Sequence, residues 1–218
     1  RPFNNTMRQL LSALAIASAA FAALPAYAQD AAAGAKKVAM CIGCHGIPEY
    51  RASFPEVHRV PKISGQNAGY IVASLQAYAK GERKHPTMRG ISGSLSEQDM
   101  KDIGAFYEQQ GKGEPAPAEV TPAPEAIAAK LQACVACHGA NFSKALDGSY
   151  PKLAGQHADF LYVALRSYQA EGKATWGRGN AIMQGQVKDM KPAELKQIAA
   201  YLASLPGELK TVPQSATR

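Results

Sequence analysis

Hydrophobic and polar positions divide the 218-residue chain into one continuous apolar run followed by short stretches of helical period. The run, Leu10 to Leu24, is rich in Ala and Leu and carries no charge. It follows Met7-Arg8, ends at Pro25, and gives way to Ala26-Tyr27-Ala28, which sets small residues where a signal peptidase reads. This pattern predicts a secretory signal over residues 1–28, cut after Ala28. The run is shorter than the roughly 20 apolar residues of a membrane span, although left uncut it would act as an anchor. The residues before Met7 add nothing to the signal.

No second long apolar run follows, and the periodic stretches predict helices. One runs from Tyr70 to Lys80 and another from Phe160 to Glu171. Two closing helices come later. Met100, Ile103, Phe106 and Tyr107 share one face of the first, and Leu195, Ile198, Ala199 and Leu202 share one face of the second. Ser96 with Asp99 is placed to cap the former; Pro192 fits the first turn of the latter, with Glu194 near its positive end. Gly111 and Gly207 mark the stops.

The stretches come in pairs, so the chain is an internal repeat. Pro61-Lys62-Ile63-Ser64-Gly65-Gln66 returns as Pro151-Lys152-Leu153-Ala154-Gly155-Gln156. A methionine in a polar loop follows each middle helix: Pro86-Thr87-Met88-Arg89-Gly90, then Ala181-Ile182-Met183-Gln184-Gly185. The prediction is an all-α chain of two tandem small domains, residues 29–113 and 126–218. The acidic, Pro-rich segment 114–125 reads as an extended, semi-rigid connector belonging to neither.

Composition and charge narrow the partners. Few aromatics, many Ala and Gly, and hardly any β-branched runs favour helices joined by irregular loops. Removing Arg1 and Arg8 with the signal takes the formal charge from +7 to +5. Neither a nucleic-acid footprint nor a polybasic membrane patch stands out. By sequence the first domain is +3, the connector −3 and the second domain +5, so the second is better suited to an acidic partner face.

The chemistry lies in Cys41-Ile42-Gly43-Cys44-His45, repeated as Cys134-Val135-Ala136-Cys137-His138. Two thiols three positions apart can form thioether bonds to haem vinyl groups while the following imidazole ligates the iron. The motif accounts for all 4 cysteines of the chain and predicts two covalently bound haem c groups. A disulfide framework or a redox CxxC leaves the histidine after each pair unexplained, and a zinc site leaves the methionine loops without a role.

With signal, paired CxxCH motifs, paired Pro-Lys-x-x-Gly-Gln segments, late methionines and a Pro-rich connector in place, the chain resembles the dihaem cytochrome c4 family, each half similar to a class I cytochrome c domain. The resemblance covers nearly the whole mature chain. It implies a histidine and a methionine on each iron, domains facing across their haem propionate edges, and electron transfer in the periplasm. His45 and His138 are then the proximal ligands. By the same similarity the carbonyls of Pro61 and Pro151 hold their second ring nitrogens, though a plain turn role for these prolines fits the sequence equally. Met88 and Met183 are the expected sixth ligands, because they alone pair across the repeat: Met190 falls opposite Leu95 and Met100 opposite Leu195. Met40 lies on the proximal side. Of the remaining histidines only His85 competes as a ligand; surface or haem-edge roles are expected for His58, His85 and His157. Arg83, Tyr78 and Tyr168 are placed to donate to propionates or to the opposite domain, with helix packing and solvation as the plain alternatives.

The function expected is that of a carrier rather than an enzyme. Single electrons would pass between redox proteins, such as a quinol-oxidising membrane complex and a terminal oxidase, with no small-molecule substrate and at most a loose membrane association. The alternatives are the dihaem subunit of a dehydrogenase, of the flavocytochrome sulfide dehydrogenase type, or a dihaem peroxidase, which needs an opening haem with acid and base help.

Overall fold

The computed structural model describes residues 29–113, 120–170 and 175–214. The predicted signal, connector residues 114–119 and Glu171 lie outside the described residues. In the first half α1 (Ala31–Ala35) and α2 (Ala39–His45) lead into α3 (Ala68–Lys80), α4 (Pro86–Gly93) and α5 (Glu97–Gln110). The second half repeats the plan with α6 (Glu125–His138), α7 (Ala158–Gln169), α8 (Ala181–Val187) and α9 (Pro192–Ser204). Helices dominate, as predicted. Two antiparallel pairs of two-residue strands add to them: β1 (Arg51–Ala52) with β2 (His58–Arg59), and β3 (Arg83–Lys84) with β4 (Gly177–Arg178).

The closing helices organise both cores. α5 packs on α1 and α3, and α9 on α6 and α7. Met100, Ile103 and Tyr107 meet Val38, Ile71 and Leu75 in one core, with Phe106 half-buried at its edge. Ile198 and Leu202 meet Ile127, Leu131, Phe142 and Leu161 in the other. Local chemistry sets where these helices start. Ser96 Oγ accepts from the Asp99 N–H at 3.1 Å while Asp99 Oδ2 accepts from the Ser96 N–H at 3.0 Å, so two otherwise unpaired donors are satisfied. At α9, Pro192 occupies the first turn and Glu194 accepts from the Lys191 N–H at 2.7 Å.

The expected glycine stops have a different cause. Gly111 follows α5 with φ −88°, where any residue is comfortable, and α9 already ends at Ser204, ahead of Gly207. Both glycines permit contact instead. A Cβ on Gly111 would sit 1.9 Å from the Gly65 nitrogen, and one on Gly207 would sit 2.1 Å from the Ala154 carbonyl oxygen. Gly65 and Gly155 themselves turn at φ +86° and +72°, and their N–H groups donate to Tyr107 and Leu202 at 2.8 and 3.0 Å. The repeated Pro-Lys-x-x-Gly-Gln segment is thereby pinned to the end of the closing helix in each half.

The two halves meet in a reciprocal contact. Buried Gln66 accepts from the Lys152 N–H at 2.8 Å and donates to the Lys152 carbonyl at 3.0 Å. Buried Gln156 does the same to Lys62, at 2.9 and 2.8 Å. Asp159, at the start of α7, accepts from both the backbone N–H and the Nε of Arg59 at 3.1 Å. Thr121, in the described end of the connector, accepts from the Tyr201 hydroxyl at 2.7 Å, so this end lies against the second half.

Candidate functional site

Each CxxCH motif closes a helix. α2 ends at His45 and α6 at His138, so the two thiols of each motif stand one turn apart beside the imidazole. All four cysteines are free and half-buried. Burial pushes the Cys41 and Cys134 thiols above the ordinary value, whereas a thiol-disulfide site needs the reverse. Among the described residues no group of three or more His, Cys, Asp and Glu side chains gathers as metal ligands.

The imidazoles are oriented by the carbonyls that the resemblance singled out. His45 Nδ1 lies 2.9 Å from the Pro61 oxygen and His138 Nδ1 lies 3.1 Å from the Pro151 oxygen. A carbonyl only accepts, so Nδ1 carries the hydrogen and Nε2 presents its lone pair. Burial lowers both imidazole pKa values, outweighing the hydrogen bonds to the prolines, and so favours the neutral form that ligates iron.

The methionines were expected in loops; they lie instead on the short helices α4 and α8. The reason is a cap three residues earlier in each half. Asn180 Oδ1 accepts from the Met183 N–H at 2.9 Å. His85 Nδ1 accepts from the Met88 N–H at a long 3.5 Å, and Pro86 supplies the first helical position. His85 is thus the counterpart of Asn180 and has a use other than ligation. Burial first, then the charges of His58 and Arg178, depress its pKa, which suits an acceptor.

Met88 packs on the same apolar cluster as Cys41. In the second half the cluster that Cys134 touches is joined by Met190, while Met183 stays half-buried outside it. Met190 nevertheless fills the place of Leu95, which packs on the first core, and Met100 and Leu195 are both core residues. Met88 and Met183 remain the pair with matched caps and matched helices.

Two of the remaining histidines are buried rather than at the surface. His58 is buried, with Nδ1 2.8 Å from the Glu56 carbonyl oxygen and its ring beside Phe160. His157 is buried at the start of α7. Both are enclosed by the contact between halves, which no local sequence pattern announces.

The comparisons with known proteins bear on the same residues. A family model described as cytochrome c matches residues 125–206. Cytochrome c4 of Pseudomonas aeruginosa is 30% identical over 209 residues, covering 93% of this chain and 99% of that protein. The chain belongs to the cytochrome c4 family. The solved structure of reduced recombinant cytochrome c4 from Pseudomonas stutzeri agrees with a TM-score of 0.61 at 28% identity, over 82% of this chain and all of that one. A further relative, 28% identical over 79% of this chain and 82% of its own length, is a thiosulfate dehydrogenase electron acceptor of Stutzerimonas stutzeri. As a cytochrome c4 homologue the chain is a c-type cytochrome of two class I cytochrome c-like units, with covalently bound haem c as cofactor and electron transfer as its role. Its own residues fit that group: thiol pairs one turn apart, a neutral imidazole aimed by a carbonyl, and a buried guanidinium nitrogen, Arg83 Nε, that lacks a partner.

Proposed function

We propose that the chain is a periplasmic dihaem electron carrier with one haem c per domain, the domains being residues 29–113 and 126–218. Cys41 and Cys44 hold one haem by thioether bonds, with His45 and Met88 on its iron; Cys134 and Cys137 hold the other, with His138 and Met183. The observation that carries this reading is the repetition of the local geometry. In both halves a proline carbonyl fixes the histidine within 3.1 Å, and a side chain three residues earlier caps the methionine. The haem supplies one-electron redox chemistry. The protein supplies two strong ligands per iron, leaving a small molecule no open position.

Signal cleavage after Ala28 delivers the chain to the compartment where such haems persist, and the partners are redox proteins such as a quinol-oxidising complex and a terminal oxidase. A second reading, as the cytochrome that takes electrons from a sulfur-compound dehydrogenase, is supported by the Stutzerimonas relative. Both readings share the ligand set and differ in the donor.

Intact mass of the exported protein tests the proposal. It should equal the chain from Gln29 plus two haems. A single haem, or none, sinks it.

A further inference from the structure

Tyr107 and Leu202 hold the same place in the two halves. Each stands seven residues after the pair Met100 and Leu195 on its closing helix, and the carbonyl of each accepts from the turn glycine of its half, Gly65 for Tyr107 and Gly155 for Leu202. Both side chains are only 3% exposed. Each belongs to the apolar cluster against which the first cysteine of its motif packs, Cys41 in one half and Cys134 in the other. Tyr107 brings a hydroxyl into that core, and Leu202 does not.

The hydroxyl is buried without a hydrogen-bond partner. Three other buried side-chain atoms among the described residues share this state, Arg83 Nε, Ser92 Oγ and Ser143 Oγ, and none of them lies on a closing helix. Burial first, then the Cys41 thiol, raises the Tyr107 pKa. Burial raises Cys41 in turn, and the Tyr107 hydroxyl acts against that rise. Hydroxyl and sulfur are therefore neighbours, short of a completed hydrogen bond. A free thiol both donates and accepts, whereas a thioether sulfur carries no hydrogen and only accepts. Bonding of Cys41 to a haem vinyl group thus leaves, beside an orphaned donor, a sulfur that has only acceptor capacity. In the other half the Cys134 thiol donates to the Lys130 carbonyl at 3.7 Å, and no hydroxyl stands at position 202 to replace that bond once the hydrogen is gone.

We propose that Tyr107 donates its hydroxyl hydrogen to the Cys41 thioether sulfur and thereby raises the potential of the first-half haem alone. The proposal rests on the reading of one haem per half. A hydrogen bond to the sulfur draws electron density from the edge of the macrocycle, and the positive end of the O–H dipole points the same way; both favour ferrous iron. Leu202 has nothing to donate, so the second haem lacks the effect. The sequence placed Tyr107 on the apolar face of its helix, where the hydroxyl went unread.

Tyr107→Phe and Tyr107→Leu, each as the exported holoprotein, test this by potentiometric titration, with Met88→Ala identifying the step that belongs to the first half. Resonance Raman of the thioether carbon–sulfur stretch, spin state and intact mass are read alongside. Tyr107→Phe keeps the ring and removes only the hydroxyl. It should lower the first-half potential, leave the second in place and shift the carbon–sulfur band of one haem. Tyr107→Leu, which copies the second half, should lower the first potential by a similar amount and gives the same reading if the Phe variant does not fold. With two low-spin haems present, the proposal is overturned if Tyr107→Phe leaves the first potential and its carbon–sulfur band unmoved, or moves both potentials equally. It is also overturned if only Tyr107→Leu lowers the potential, since ring packing rather than the hydroxyl would then be responsible. Wild-type protein without two low-spin haems, or a Met88→Ala variant with both steps unmoved, rejects instead the haem and ligand reading beneath the proposal.

Discussion

At the scale of single residues the methionines carry the most consequence. A thioether is a soft neutral donor that favours ferrous iron. In the proposed assignment Met88→Ala or Met183→Ala turns one low-spin haem high-spin or differently ligated. Its potential then falls by a fraction of the roughly 0.8 V over which axial ligands tune haem. Met100→Leu and Met190→Leu should leave the iron spectrum unchanged, because Met100 is core and Met190 packs where Leu95 packs in the other half. A Met190 variant that alters the spectrum while Met183→Ala does not would reverse the choice. The two CxxCH motifs were legible in the sequence because haem attachment needs only local spacing. His85 was not read as a cap because an imidazole is an unusual one, and Asn180, whose amide oxygen suits the role, was passed over because no helical period follows it; their shared offset from a methionine links them.

Among the elements, the attachment of α1 and the start of α2 to α5 depends on charge. Lys37 Nζ lies 2.7 Å from Asp99 and 2.6 Å from buried Asp102, and Asp102 also accepts from the Asp30 N–H at 3.0 Å. The Lys37 hydrogen bond, followed by those within the Ser96 cap, holds the Asp99 carboxyl down to about 2 from 3.8. Lys37 lowers Asp102 as well. A depressed carboxylate contributes stability that is complete above its unfolded value and is lost as pH falls through the folded one. Urea midpoints should therefore drop between pH 4 and pH 2, and Lys37→Met should lose stability near neutrality while flattening that acid slope. An unchanged slope would remove Lys37 from the account. The helical faces and the Ser96 box were readable because periodicity and capping are local. The helices carrying Met88 and Met183 were missed because glycines and polar residues hid a period that Pro86 and the caps enforce.

For the whole molecule the contact between halves was the least legible part, although its residues stood in the repeat. Gln66 and Gln156 recur at matching positions, yet nothing nearby tells that each reaches the other half's backbone. Arg59 and Asp159 are 100 residues apart in sequence and belong to no motif. Gln66→Leu strands the Lys152 N–H and carbonyl and should cost about 1–3 kcal/mol. A double-mutant cycle on Arg59 and Asp159 should show coupling of about 1 kcal/mol, modest because both side chains are partly solvated. Zero coupling by chemical denaturation would mean the halves unfold independently of this pair. Redox titration of the exported wild-type protein, followed by haem absorption and spin state, tests the central claim of two His–Met haems most directly. Two one-electron steps with distinct potentials are expected, since Lys84-His85-Pro86-Thr87 and Thr175-Trp176-Gly177-Arg178 give the two sites different surroundings, with both irons low-spin in either oxidation state. A single one-electron step, or a high-spin haem that takes carbon monoxide in the native protein, would contradict it.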